Sequence, residues 1–158
     1  MDFSAVPWSR SEKADWEVEM YKHIIITTDG SELAMRGVSH GLSLAKHLNS
    51  KVTIITVAEA YPVQTAATPA SWNEAQEKHT AAALQAAKNA ADQIGVEVEL
   101  VREVWTSPAP AIVETAKKLG CDLIVMASHG RRGVQRLLLG SQAAEVVHNS
   151  NVPVLIVR

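Results

Sequence analysis

The chain has 158 residues, of which 47% are hydrophobic and 20% charged, with a formal net charge of −2. That length fits one domain with a real core, and the absence of a basic excess argues against a general nucleic-acid binder. One cysteine, Cys121, excludes an internal disulfide, no apolar run approaches the ~20 residues of a membrane span, and residues 1–19 lack the apolar core of a secretory signal; a cytoplasmic location is therefore expected.

Residues 1–19 follow neither the helical nor the strand period and mix charges with Trp8 and Trp16. They read as a mobile extension, or as an arm packing on a partner. Met20, just before the first strand, is also a candidate alternative start. The expected domain spans 20–158. Its first strand is the β-branched run from Tyr21 to Thr28, which suits burial on both faces. The run stops at Asp29-Gly30-Ser31-Glu32, where Asp and Gly make the turn and Ser31 caps a helix from Glu32 to His47. Asn49-Ser50 ends that helix, and Lys51 to Ala58 is the second buried strand. A long loop from Glu59 to Ala70 follows, of the kind that is functional or disordered in a compact domain. Ser71 to Ile94 is alanine-rich and helical, with Gly95 as its stop.

Val96 to Trp105 alternates apolar and charged residues, as expected of a strand at a sheet edge with one wet face. Pro108 and Pro110 stand near the start of the next helix, where proline is tolerated, and Gly120 closes it. Cys121 to Ala127 is the fourth strand, in which Cys121 reads as a packing residue. Gly140-Ser141 opens a last helix to about Asn149, and the final strand is Val152 to Arg158. Alternating strands and helices imply parallel pairing through right-handed crossovers. The expected fold is an open, doubly wound α/β sheet, with its ligand site beyond the carboxyl ends of the strands at the switch point. The first and fourth strands meet at that switch, so Asp29 and the loop from Ala127 to Gly133 should face one crevice.

The stretch from Asp122 to Ser141 carries the clearest chemistry. A short apolar strand runs into small residues, then a loop with Gly130, Gly133, Arg131 and Arg132, then a helix start at Gly140-Ser141. Free N–H groups at a helix start carry partial positive charge, and glycines let a phosphate reach them. Two other readings stand beside this one. Asp29 also suits a turn residue bonding its own backbone, and Gly140-Ser141 also suits a plain helix cap. Arg131, with Arg132 and Arg136, either screens phosphate charge or stays solvated. Ser128-His129 invites comparison with a nucleophile and base, but a hydrolytic triad needs a buried acid to orient the histidine. The six histidines show no metal-ligand spacing. No lysine follows the glycines as a P-loop requires, so any phosphoryl transfer should be slow.

Three features together resemble the universal stress protein family: Thr28-Asp29-Gly30-Ser31 after the first strand, Ala127-Ser128-His129-Gly130 with Gly140-Ser141 beyond it, and the closing Val152-Pro153-Val154-Leu155-Ile156-Val157. The resemblance covers residues 20–158. It implies a three-layer, five-stranded parallel sheet of order 3-2-1-4-5, like the adenine nucleotide alpha hydrolases. Nucleotide-binding members carry G-x2-G-x9-G-[ST]; here Gly130, Gly140 and Ser141 match, and the first position is Ala127, which alanine can fill unless φ is positive there.

The resemblance further implies that Thr28 and Asp29 lie at the ribose or phosphates and that Val57 meets adenine through its backbone. The backbone of Met126 and Ala127 lines the pocket. Gly130, Gly140 and Ser141 hold the phosphates, with Gln142 offering a backbone N–H; Arg131 is counted with them as a candidate contact. The cofactor implied is ATP, with or without Mg2+. Members of the family dimerise through the last strand, whose edge position leaves N–H and C=O groups to pair; a homodimer through Val152 to Arg158 is expected here. The leading expectation is thus a cytoplasmic, dimeric, ATP-binding stress-response regulator, not an enzyme. The alternative is a nucleotide-free interaction protein of the same fold.

Overall fold

A computed structural model describes residues 20–130 and 139–158. The expected extension, 1–19, lies outside the described residues, as do Arg131, Arg132, Gly133 and Arg136. Nine elements follow in chain order: β1 (His23–Thr27), α1 (Glu32–Leu48), β2 (Lys51–Glu59), α2 (Pro69–Ile94), β3 (Glu99–Trp105), α3 (Pro108–Leu119), β4 (Leu123–Ala127), α4 (Ser141–Asn149) and β5 (Val154–Val157). The strands form one parallel sheet of order β3-β2-β1-β4-β5, as the sequence led us to expect.

Period-two alternation divides the core between the two faces. Ile24 and Ile26 of β1 join Val52 and Ile54 of β2 against Val38 and Leu42 of α1 and Ala87 and Ala91 of α2. Ile25, Ile55 and Ile124 face the other way, onto Ile112 and Ala116 of α3 and Val146 of α4. No described helix is long and apolar enough to cross a membrane.

Element ends depart from the sequence reading where local hydrogen bonds intervene. α2 begins at Pro69, two residues before the expected Ser71, because the Thr68 hydroxyl accepts from Ser71 N–H and the Ser71 hydroxyl accepts from Thr68 N–H. This reciprocal cap with proline in the first turn is a strong helix start. β3 begins at Glu99 rather than Val96, since Gly95 is left-handed and Val96 N–H turns back to Ala91 O. β4 begins at Leu123 rather than Cys121, whose N–H returns to Ala116 O at the end of α3. β5 begins at Val154 rather than Val152, which is tied locally to the Ser150 hydroxyl. The loop between β2 and α2 is ordered by its own contacts: Tyr61 Oη donates to Ala67 O at 2.9 Å, and the Tyr61 ring stands edge-on to Trp72 with centroids 6.5 Å apart.

Candidate functional site at the switch point

β1 separates β2 from β4 and ends at Thr27. The chain then turns sharply into α1. Gly30 takes φ +78°, its N–H donates to Thr28 Oγ1 at 3.1 Å, and Ser31 N–H donates to Asp29 Oδ1 at 3.0 Å. Ser31 caps α1, accepting from Ala34 N–H. Asp29 is therefore a turn residue, and this fixes where its other oxygen lies. A Cβ on Gly130 would stand 2.8 Å from Asp29 Oδ2. The two residues are 101 positions apart, and glycine at 130 is what lets the carboxylate lie against the β4 loop.

A hollow of ≈ 400 Å³ opens here, within the range of small-molecule sites. Thr28, Asp29, Val57, Met126, Ala127, Gly130, Gly140, Ser141 and Gln142 all line it; of the ten residues expected from sequence, only Arg131 lies outside the described residues. Thr28 contributes shape more than a free hydroxyl, since Oγ1 also approaches Met35 Sδ at 3.9 Å. Ala127 sits in β4 and is buried. The described non-glycine residues with positive φ are Tyr21 and Asn49, so position 127 makes no demand that alanine cannot meet.

Gly140 has a structural reason beyond the one the sequence suggested. Its N–H donates to Ser128 O at 2.7 Å, and a Cβ would stand 2.9 Å from that same oxygen. The amide closes the loop in this structure, and the approach of Ser128 requires glycine here. The next amides are placed otherwise. Gly140 is the N-cap of α4 with no side-chain cap, and the first backbone bond of the helix is Ala144 N–H to Gly140 O. Ser141, Gln142 and Ala143 thus begin the helix without intrahelical acceptors for their N–H groups, and all three border the hollow.

Val57 supplies backbone groups at the opposite wall. Ile55 O accepts from Thr28 N–H, the last bond between β1 and β2. Two residues on, Val57 turns its peptide groups the same way, past the end of β1 and into the hollow. Glu59, two further, would repeat the pattern, but α2 covers it: Glu59 N–H donates to Gln76 Oε1 at 3.1 Å and Trp72 Nε1 donates to Glu59 O at 2.9 Å.

Several lining residues escaped the sequence reading. Gln76, Glu59 and Pro108 border the hollow from elements with no ligand motif; the one available hint was Trp72 and Gln76 at helical spacing after the loop. Gln142 was expected for its N–H, yet its side chain also acts. Oε1 accepts from Ala109 N–H at 2.9 Å and from Ser107 Oγ at 3.1 Å, capping α3 from α4. Ser128 Oγ lies 2.8 Å from His129 Nδ1, a contact between chain neighbours at the hollow's edge. No group of three His, Cys, Asp or Glu able to hold a metal occurs among the described residues. The displaced pKa values belong to His23 and Cys121, at the amino ends of the strands, away from the hollow.

Comparison with known proteins agrees with this fold. The profile of the Universal stress protein family matches residues 20–158. A universal stress protein of Methanocaldococcus jannaschii, MJ0531, is 36% identical over 144 residues, covering 88% of this chain and 83% of that protein. Among solved structures, the universal stress protein UspA from Lactobacillus plantarum superposes with a TM-score of 0.78 at 21% identity, covering 88% and 99% of the two chains. A universal stress protein in complex with cAMP superposes with a TM-score of 0.67 at 29% identity, covering 87% and 97%. The chain belongs to the universal stress protein family.

Proposed function

We propose that the chain binds an adenine nucleotide, ATP with or without Mg2+, in the hollow at the switch point. It acts as a nucleotide-dependent regulator of a stress response in the cytoplasm, and as a homodimer through the β5 edge. The observation that carries this reading is that the uncapped amino end of α4 and the Asp29 carboxylate line one hollow of ≈ 400 Å³. Ser141, Gln142 and Ala143 offer N–H groups to phosphate oxygens, with the helix dipole adding attraction. The Val57 peptide presents one donor and one acceptor, the pattern that adenine's N1 and amino group complement. Asp29, held by the turn, suits a ribose hydroxyl or a metal bridging to phosphate. The cAMP complex of the 29% identical family member supports the ligand class.

Catalysis has less support. The segment from Gly130 to Ser141 has no P-loop lysine, and phosphoryl transfer requires charge on the γ-phosphate and a positioned nucleophile. Occupancy itself is the more natural signal, through unequal affinity for two states of the loop or dimer.

Ser141→Pro tests the phosphate placement cleanly. Proline is tolerated at the first helical position, and Gly140 already has φ −68° and ψ 158°, the conformation a residue before proline prefers. The fold is kept while the amide hydrogen is removed together with the hydroxyl, whose own share a Ser141→Ala control measures. Calorimetry should show ATP affinity falling about 10- to 100-fold, the worth of one hydrogen bond to a charged group, with adenosine affinity unchanged. Unchanged ATP affinity would place the phosphates elsewhere. A wild-type protein that retains no nucleotide and binds no ATP at millimolar concentration with Mg2+ would establish the nucleotide-free alternative.

A further inference from the structure

The β2 side of the hollow holds a side chain whose orientation is fixed by the protein before any ligand arrives. Trp72 and Gln76 are one turn apart on α2 and both reach the peptide groups of Glu59, Trp72 Nε1 donating to the carbonyl and Gln76 Oε1 accepting from the amide. An amide N–H can be met only by the oxygen of a carboxamide, so this bond decides which end of Gln76 is which. Oε1 is committed to the strand, and Nε2 is turned away from it. Gln76 is partly buried and lines the hollow with Val57 and Glu59. Among the described residues Nε2 has no hydrogen-bond acceptor. The α2–β2 clamp therefore presents a second donor near the Val57 peptide, held by two hydrogen bonds and a tryptophan.

Resting on the adenine-nucleotide reading above, we infer that Gln76 is a specificity-determining residue, donating from Nε2 to a ring nitrogen of the purine, N7 or N3, that the Val57 peptide does not use. A donor held in this way discriminates strongly. A base without the acceptor leaves Nε2–H desolvated and unpaired, which costs more than the bond itself yields. Pyrimidines present no second ring on which such a nitrogen could lie, so the site selects purines by what it leaves unsatisfied.

Gln76→Glu is the discriminating variant, because it keeps an oxygen for Glu59 N–H and removes only the donor. Affinities of the full chain, wild type and variant, are measured for ATP, 7-deaza-ATP and 3-deaza-ATP. The added carboxylate repels all three nucleotides alike, so the informative quantity is the ratio of ATP to analogue affinity. For the analogue lacking the bonded nitrogen, that ratio is expected to be about tenfold in the wild type, the worth of roughly 1.4 kcal/mol, and near one in Gln76→Glu. Coupling with 7-deaza-ATP identifies N7, and coupling with 3-deaza-ATP identifies N3. If Gln76→Glu shifts all three affinities by the same factor, or none of them, the inference is overturned while the nucleotide reading stands. If wild-type protein binds no ATP, both fall together.

Discussion

His23, the first residue of β1, is buried at the end of the sheet opposite the hollow. Its Nε2 lies 2.8 Å from Thr53 Oγ1, which in turn lies 3.4 Å from Glu99 Oε2; Lys51 pairs with Glu99 at 3.2 Å. The imidazole is held below its ordinary pKa of 6.5, chiefly by desolvation and next by Lys51, against the opposing pull of the Leu119 carbonyl, Glu99 and Asp122. The unfolded chain therefore takes up this proton more readily than the native one. The resulting stability is present in full above about pH 6.5 and is lost as pH falls from there through the lowered value. Urea unfolding at pH 7.5 and 5.5 should show the wild type losing more stability than His23→Gln, which keeps a polar partner for Thr53; equal losses would mean that the buried ring is not the sensor. Cys121, close by, has its thiol pushed up to about 11 by burial first and Asp122 next, in keeping with the packing role its position in the sequence suggested. At this scale the sequence was readable wherever a residue's reason is local. Ser31 as a cap and Gly30 as a turn follow from their neighbours. Gly140 carries a further constraint, the approach of the Ser128 carbonyl, which no spacing reveals.

Among the elements, α3 depends on α4 for its start. Ser107 is its N-cap, yet makes no side-chain cap bond within its own helix; the acceptor for Ala109 N–H comes from Gln142. The two amino ends are thereby joined at the rim of the hollow through one carboxamide. Gln142→Ala should cost about 1 kcal/mol in urea unfolding, the usual price of losing a cap. Ser107→Ala should cost less, because its hydroxyl only donates to a Gln142 oxygen that Ala109 N–H already occupies. The opposite ranking would show that Ser107, not Gln142, holds the start of α3. Such ties explain which parts of the fold were legible. Direction and layering of the strands follow from the alternation of strands and helices, since every β-branched run must be covered on both faces; their full order came with the family resemblance. Strand ends do not, because Val96 and Val98 are as apolar as strand residues and pack against the core after pairing has not yet begun. Gln76 and Gln142 look like ordinary polar positions on helix surfaces; their roles come from partners 17 and 33 residues away.

For the whole molecule, the sheet order leaves two open edges, β3 and β5, and they are protected unequally. β3 carries Glu99, Arg102 and Glu103, charges that discourage edge pairing. β5 is Val154-Leu155-Ile156-Val157 without a charge, and Pro153 precedes it. Ile124 N–H bonds to Pro153 O and Ser128 N–H to Val157 O, so the peptide groups of Val154 and Ile156 point to the open side, where a second copy running antiparallel can pair with them. The side chains must be probed with care. Val154 and Ile156 pack against the cluster beneath α3 and α4, and charging either would unfold the domain and mimic loss of a dimer. Leu155 is 39% exposed and is the position to change. Leu155→Lys should give monomers in light scattering with an unaltered circular dichroism spectrum. Val104→Lys, at the 53% exposed position on the β3 edge, should leave the dimer intact. The reverse pattern would move the interface to β3, beside the Ala60–Trp105 bond that links the β2 wall of the hollow to the sheet edge, and nucleotide occupancy would then reach the partner through α2 instead of α4.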